Sequence, residues 1–169
     1  RCPNGLVVVG DIHGDYGTLI SFIKRLDLLR FLDNDGCLLF LGDYVDRGEH
    51  QIEVLSAVLI IKAYWRNNVV VLRGNHEPPR NLIPSPHDFP VELRRRFGFK
   101  GLELYNKALE LFDELPLIVI VNDNVLGVHG GPPVSVVQHV NSLSEMLNKI
   151  EEALEDILWS DPIEDDGCW

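Results

Sequence analysis

Long apolar runs, an excess of basic residues and an even set of cysteines are all missing from this chain of 169 residues. Its hydrophobic stretches fall well short of the roughly 18 residues a helix needs to cross a bilayer, so no membrane span is expected. Lys and Arg number 15 against 26 Asp and Glu, a formal charge of −11, which argues against attraction to a nucleic-acid backbone. The three cysteines, Cys2, Cys37 and Cys168, are odd in number and widely scattered. They suggest neither a disulfide framework nor a zinc knuckle, and the expected setting is reducing, hence cytoplasmic. A basic-then-apolar signal segment is also missing, and the chain opens on Arg1 instead of Met, so the expectation is an excised fragment. Internal repeats, low-complexity tracts and linkers are not found. What is present, 46% hydrophobic and 24% charged residues, is the composition of a folded globular protein, with one domain expected over residues 1–169.

The hydrophobic pattern alternates between two periods. "LVVVG" (Leu6–Gly10) reads as a buried strand, and Leu19, Phe22, Ile23, Leu26 and Leu29 follow at helical spacing. Leu38–Gly42 predicts a second strand, with a helix over Ile52–Trp65, and "NVVVLRG" (Asn68–Gly74) predicts a third. This βαβαβ order implies helices packed on a parallel sheet, with the strand ends side by side. Pro78, Pro79, Pro84, Pro86 and Pro90 then predict a long surface loop that borders the cleft and shapes substrate choice instead of chemistry. A helix is expected over Leu102–Leu115, and "LIVIV" and "VLGVHGG" flank "NDN" as a hairpin. Ser142 with Glu145 forms a capping-box signature for a helix running to about Trp159.

The chemistry-bearing residues fall where these strands end. The first strand runs into "GDIHGD" (Gly10–Asp15), the second into "GDYVDRG" (Gly42–Gly48), the third into "RGNHE" (Arg73–Glu77), and the hairpin into "GVHGG" (Gly127–Gly131). Asp11, His13, Asp43, Asn75 and His129 form a mixed oxygen and imidazole set that suits manganese, iron or zinc. Each has a blander reading alone. Asp15 and Asp46 fit helix caps or turns, and His50, His87 and His139 fit satisfied structural residues. The coincidence of four strand ends, each carrying such residues beside glycines, favours a catalytic metal centre.

"GDIHGD", "GDYVDRG", "RGNHE" and "HGG", in this order, resemble the signature set of the metallophosphoesterase superfamily, specifically the PPP-type serine/threonine protein phosphatases. "WSDP" (Trp159–Pro162) resembles that family's sequence after its catalytic core, so the likeness runs from Val7 to Pro162. The fold it implies is α/β: a β-sandwich core flanked by helices, with mixed sheets and a βαβαβ start. The activity it implies is removal of phosphate from phosphoserine and phosphothreonine of proteins, by in-line attack of a hydroxide held between two divalent ions. Asp11 and His13 would hold one ion, Asp43 would bridge, and Asn75 and His129 would hold the other. His76 would be the general acid, oriented by Asp46, and Arg47 would grip phosphate oxygens. Phosphoproteins are the implied partners.

Two departures qualify the resemblance. Family members carry a further metal-binding His, a second phosphate-binding Arg and a Tyr well beyond "WSDP", where this sequence stops at Trp169, so a truncated form of a longer phosphatase is expected. The segment "PPRNLIPSPHDFP" also differs from that of familiar eukaryotic members, so substrate preference does not transfer. A symmetrical dinucleoside tetraphosphatase and a noncatalytic binding module with the same fold are the alternatives.

Overall fold

Short runs of β-branched and aliphatic residues make the centre of a computed structural model that describes residues 2–161. These are β1 (Leu6–Val9), β2 (Cys37–Phe40) and β3 (Val69–Val71), all parallel in the order β1-β2-β3. The register pairs Leu6 with Cys37 and Leu38 with Val69. All four residues of β2 are buried, as expected for a strand covered on both faces. Parallel strands need crossovers, and here α1 (Tyr16–Arg25) and α2 (Leu28–Asp33) link β1 to β2, while α3 (Gln51–Tyr64) links β2 to β3. All three carboxyl ends therefore open on one edge, the usual place for a ligand in an open α/β sheet.

Several elements depart from the sequence expectation. The first helix is broken by Asp27, whose φ of 46° lies in the left-handed region; the break turns Leu28 and Leu32 into the core. The proline-rich segment ends sooner than its last proline, because Pro90 sits in the first turn of α4 (Phe89–Phe97), where a missing N–H costs nothing. The helix expected over Leu102–Leu115 forms as α5 (Lys100–Asp113), and α4 precedes it in a stretch for which no helix was expected. The hairpin forms as anticipated, from β4 (Ile118–Val121) and β5 (Val125–Val128), antiparallel. A short helix follows, α6 (Val134–Val137). Ser142 does cap α7 (Leu143–Asn148), its Oγ accepting from Glu145 N at 3.2 Å. That helix stops early, and a 3-10 turn (Ile150–Ala153) lets α8 (Leu154–Trp159) fold back on the hairpin, where Gly130 N donates to Ile157 O at 2.7 Å.

One core cluster joins the parallel sheet to α1–α5 through Phe40, Tyr44, Phe89 and Phe112; a smaller one gathers Leu117, Val136, Met146 and Ile157 beneath the hairpin and the last helices. Cys2 and Cys37 pair as a disulfide with Cα atoms 5.5 Å apart, correcting the expectation drawn from their scatter. Thirty-five residues separate them in sequence, but Cys37 opens β2 beside Leu6 of β1, so the parallel register brings them together. The cysteines consequently no longer argue for a reducing compartment. Among the described residues no helix is long and apolar enough to cross a membrane.

The ends of β2 and β3 meet at Gly42 and Gly74. Gly42 has φ +123°, and a Cβ there would lie 2.5 Å from the backbone of Gly74. Gly42→Ala is therefore expected to lower the unfolding free energy by about 3 kcal/mol, from left-handed strain plus overpacking. Urea denaturation measures it, and a loss below about 0.5 kcal/mol would show that this approach does not constrain the sheet edge.

Candidate metal centre

The loops leaving the four strand ends converge on the carboxylate of Asp43, which is 2% exposed. His13 Nε2 lies 3.1 Å from Asp43 Oδ2 and 3.8 Å from Asp11 Oδ2. On the other side, His129 Nε2 lies 3.5 Å from Asp43 Oδ1 and 3.0 Å from Asn75 Oδ1. Asp11, Asp43, Arg47, Asn75 and His129, with Trp159 and Ser160, line a polar cavity of about 410 Å³. All five residues expected as ligands are thus brought together.

The hydrogen-bond pattern fits a cation. A backbone carbonyl only accepts, so His13 Nδ1 must donate to Val45 O at 2.8 Å and His129 Nδ1 to Leu41 O at 3.1 Å. In the neutral ring each Nε2 then presents a lone pair toward carboxylate oxygens. His13 Nε2 is buried with no hydrogen-bond partner, 3.1 Å from Asp43 Oδ2. Acceptors aimed at acceptors are costly unless positive charge lies between them. Burial disfavours a charged His13, yet Asp43 outweighs it and raises the imidazole pKa, a field that would favour any cation. Burial likewise opposes ionisation of Asp43, but His13 and His129 hold its carboxyl below the ordinary value. The two groups Asp11–Asp43–His129 and His13–Asp43–His76 each place their ligand atoms within 4.8 Å of one another, with Asp43 common to both.

Strain accompanies this convergence. His13, Asp43, Asp46 and Arg47 have φ of 45°, 57°, 65° and 67°, a left-handed conformation uncommon outside glycine. The turn holding three of them is braced by Glu77, to which the sequence reading gave no role. Its carboxylate is fully buried and accepts from Asp43 N at 2.7 Å, Tyr44 N at 2.8 Å, Val45 N at 3.3 Å and Gly74 N at 3.1 Å. Burial, and after it the Asp43 charge, raise this carboxyl above its ordinary value, against the pull of the amide donors. Only its place in "GNHE" marked it in sequence.

Asp46 anchors a second group. Its Oδ2 accepts from His76 Nδ1 and from His87 Nδ1, both at 2.6 Å, and its Oδ1 accepts from Asp88 N at 2.9 Å and Phe89 N at 2.8 Å. His76 Nε2 faces Arg47 Nη2 at 3.2 Å, so both ring nitrogens are engaged although His76 also stands close to His13 and Asp43. Asp46 is therefore more than a turn former, and Asp15 is a helix cap, accepting from Thr18 N at 2.9 Å. His50 and His139 are exposed, whereas His87 joins the site. Confining the proline-rich loop to substrate choice is too narrow, since residues 87–89 at its end supply three of the four donors to Asp46.

Burial works to raise the Asp46 carboxyl, but the hydrogen bonds from His76 and His87 prevail and hold it well below its ordinary 3.8. A depressed carboxyl stabilises the fold fully above its unfolded value and loses that contribution as pH falls toward the folded one. The melting-temperature gap between wild type and Asp46→Asn should therefore be constant above about pH 5 and close progressively below about pH 4. A gap independent of pH would rule this linkage out. For the metal site, Asp43→Asn should weaken binding of a second equivalent of Mn²⁺ by at least about 100-fold in calorimetric titration, more than the loss of an outer partner. Unchanged two-ion binding would remove Asp43 from the shared position.

Residues 6–169 match the calcineurin-like phosphoesterase family. The chain is 39% identical over 167 residues to a serine/threonine-protein phosphatase of Caenorhabditis elegans, covering 95% of this chain and 35% of that protein. It is 34% identical over 163 residues to a probable serine/threonine-protein phosphatase of Encephalitozoon cuniculi, covering 94% and 34%. It spans about a third of the length of these curated relatives. Among solved structures, a protein serine/threonine phosphatase from Saccharomyces cerevisiae with similarity to human phosphatase PP5 superposes with a TM-score of 0.65 at 27% identity, over 96% of this chain and 50% of that one. A cold-active protein-tyrosine phosphatase of Shewanella shares the fold at 19% identity and a TM-score of 0.58, over 94% and 52%. With four strand-end motifs meeting at one carboxylate and the family match running through all of them, this chain belongs to the calcineurin-like phosphoesterases.

Proposed function

We propose that this chain is the catalytic part of a metal-dependent serine/threonine protein phosphatase that hydrolyses phosphoserine and phosphothreonine monoesters in proteins. The observation that carries the reading is Asp43, a buried carboxylate facing an aspartate–histidine pair on one side and an asparagine–histidine pair on the other. Two relatives named as serine/threonine phosphatases at 39% and 34% identity support the substrate class.

Asp11, His13 and Asp43 would hold one divalent ion, and Asp43, Asn75 and His129 the other. Manganese, iron and zinc all suit this donor set, and two such ions would supply charge neutralisation and an ionised water at neutral pH. The remaining steps belong to the chain. Arg47, exposed at the rim, presents a planar fork that can take two phosphate oxygens. In the present geometry its Nη2 sits against His76 Nε2 at 3.2 Å, so a phosphate that draws the guanidinium outward also frees Nε2. Once freed, Nε2 takes up a proton from water, and the resulting imidazolium, held on Asp46 through Nδ1 at 2.6 Å, delivers it to the leaving oxygen. A second cavity of about 540 Å³, lined by Arg47, His50, Asp88, Val91 and Arg95, adjoins the same arginine and gives a peptide chain room to lie beside its phosphate.

Loss of a general acid is felt most where the leaving group is a poor one. His76→Asn should retain metal content by elemental analysis yet slow turnover of a phosphoserine peptide by about 10²–10⁴-fold, with a smaller loss on an activated aryl phosphate. Loss of metal, or equal losses on both substrates, would refute the acid role.

A further inference from the structure

We propose that His87 is a positioning residue for the proton-donating histidine, acting through Asp46 and linking the acid to the end of the proline-rich loop. The inference rests on the reading of His76 as the acid, and its basis is a shared atom. His76 and His87 come from different loops, yet both place Nδ1 2.6 Å from the same oxygen, Asp46 Oδ2. Such short contacts are the length of charge-assisted hydrogen bonds, too close for two ligands of one ion, so this trio is a hydrogen-bonded unit instead of a third cation site.

Donor and acceptor roles follow around the trio. Asp46 is 1% exposed and its carboxylate offers only acceptors, so both Nδ1 atoms donate to it. His87 Nε2 is then left with a lone pair, and Tyr105 on α5, its hydroxyl 2.8 Å away, donates to it. Burial, and after it the Asp46 charge, raise the Tyr105 pKa, which keeps that proton in place. A relay of oriented bonds therefore runs from Tyr105 through His87 to Asp46, and the backbone amides of Asp88 and Phe89 close on the other carboxylate oxygen.

The consequence for His76 is geometric. Asp46 has its backbone at φ 65° and its amide tied to Gln51 Oε1 at 2.8 Å, so its carboxylate is turned as well as placed. With His87 bonded to Oδ2, that oxygen is held where His76 must meet it. Without His87 the carboxylate keeps its Oδ1 contacts but can swing about them, and Nε2 of His76 swings with it.

The test uses His87→Leu, which removes both bonds, and His87→Asn, whose side-chain amide reproduces the Nδ1 donor alone. Turnover of a phosphoserine peptide and of an activated aryl phosphate is compared in the manganese-loaded protein, with metal content and melting temperature recorded for each. His87→Leu should slow the peptide by about 10-fold and the aryl phosphate by a smaller factor, with metal content unchanged. His87→Asn should recover most of the peptide rate, and His87→Leu should add nothing to Asp46→Asn, because both act through one carboxylate. Equal losses on both substrates, additivity with Asp46→Asn, or failure of His87→Asn to outperform His87→Leu would each overturn the proposal. His76→Asn, assayed alongside, separates the two readings. If it discriminates between leaving groups and His87→Leu does not, only the positioning role fails; if it does not discriminate, both fall together.

Discussion

The site depends on one carboxylate that touches no substrate and, in the present reading, no ion. Glu77 lies fully buried beneath the sheet edge, and its two oxygens collect the amides of Asp43, Tyr44, Val45 and Gly74. Backbone N–H groups at the sharp end of a strand have no ladder partners, and leaving them bare in the interior would be costly. Supplying a carboxylate from the neighbouring strand end satisfies them together and fixes the turn. That turn aims Asp43 at the candidate ligand cluster and Asp46 at the two histidines. Arg73, bonded to Glu77 O at 2.7 Å and to Asp113 at 2.8 Å, ties the arrangement back to α5.

Electrostatically the centre contrasts with its surroundings. The chain carries a formal −11, yet the two buried aspartates of the site are matched locally by imidazoles. Asp43 stands among His13, His76 and His129, and Asp46 between His76 and His87. Imidazoles suit this duty because they can donate from one nitrogen while keeping the other for a lone pair. The pattern at His13 and His129, with Nδ1 anchored on a carbonyl and Nε2 aimed inward, is what a ligand shell requires before any ion arrives.

Much of this was legible in sequence because the signals are local. A short aliphatic run followed by glycine and an acid reads the same in one dimension as in three, so β1, β2, β3 and the hairpin appeared close to their expected bounds. The five expected metal ligands stood out the same way, each close to a glycine at a strand end, whereas the roles of His76, Asp46 and Arg47 rested on the family resemblance. What escaped depends on distance across the fold. Asp27 breaks a helix whose hydrophobic spacing is unbroken, since the spacing continues while the backbone turns. Cys2 and Cys37 looked unrelated because the register of parallel strands is invisible along the chain. His87, amid prolines and 41 residues from Asp46, carried no periodic or motif signal at all.

The four left-handed residues His13, Asp43, Asp46 and Arg47 have one more implication. An unfolded chain seldom visits that conformation at any of them, and almost never at all four at once. The cluster of ligands is thus a property of the folded state alone, and cation binding and folding share a single equilibrium. A free ion at a hundred times its dissociation constant would add about 2.7 kcal/mol to stability. By the same linkage, slackening the scaffold far from the cleft would surface as ions lost more readily, so metal retention becomes a gauge of the whole fold's integrity.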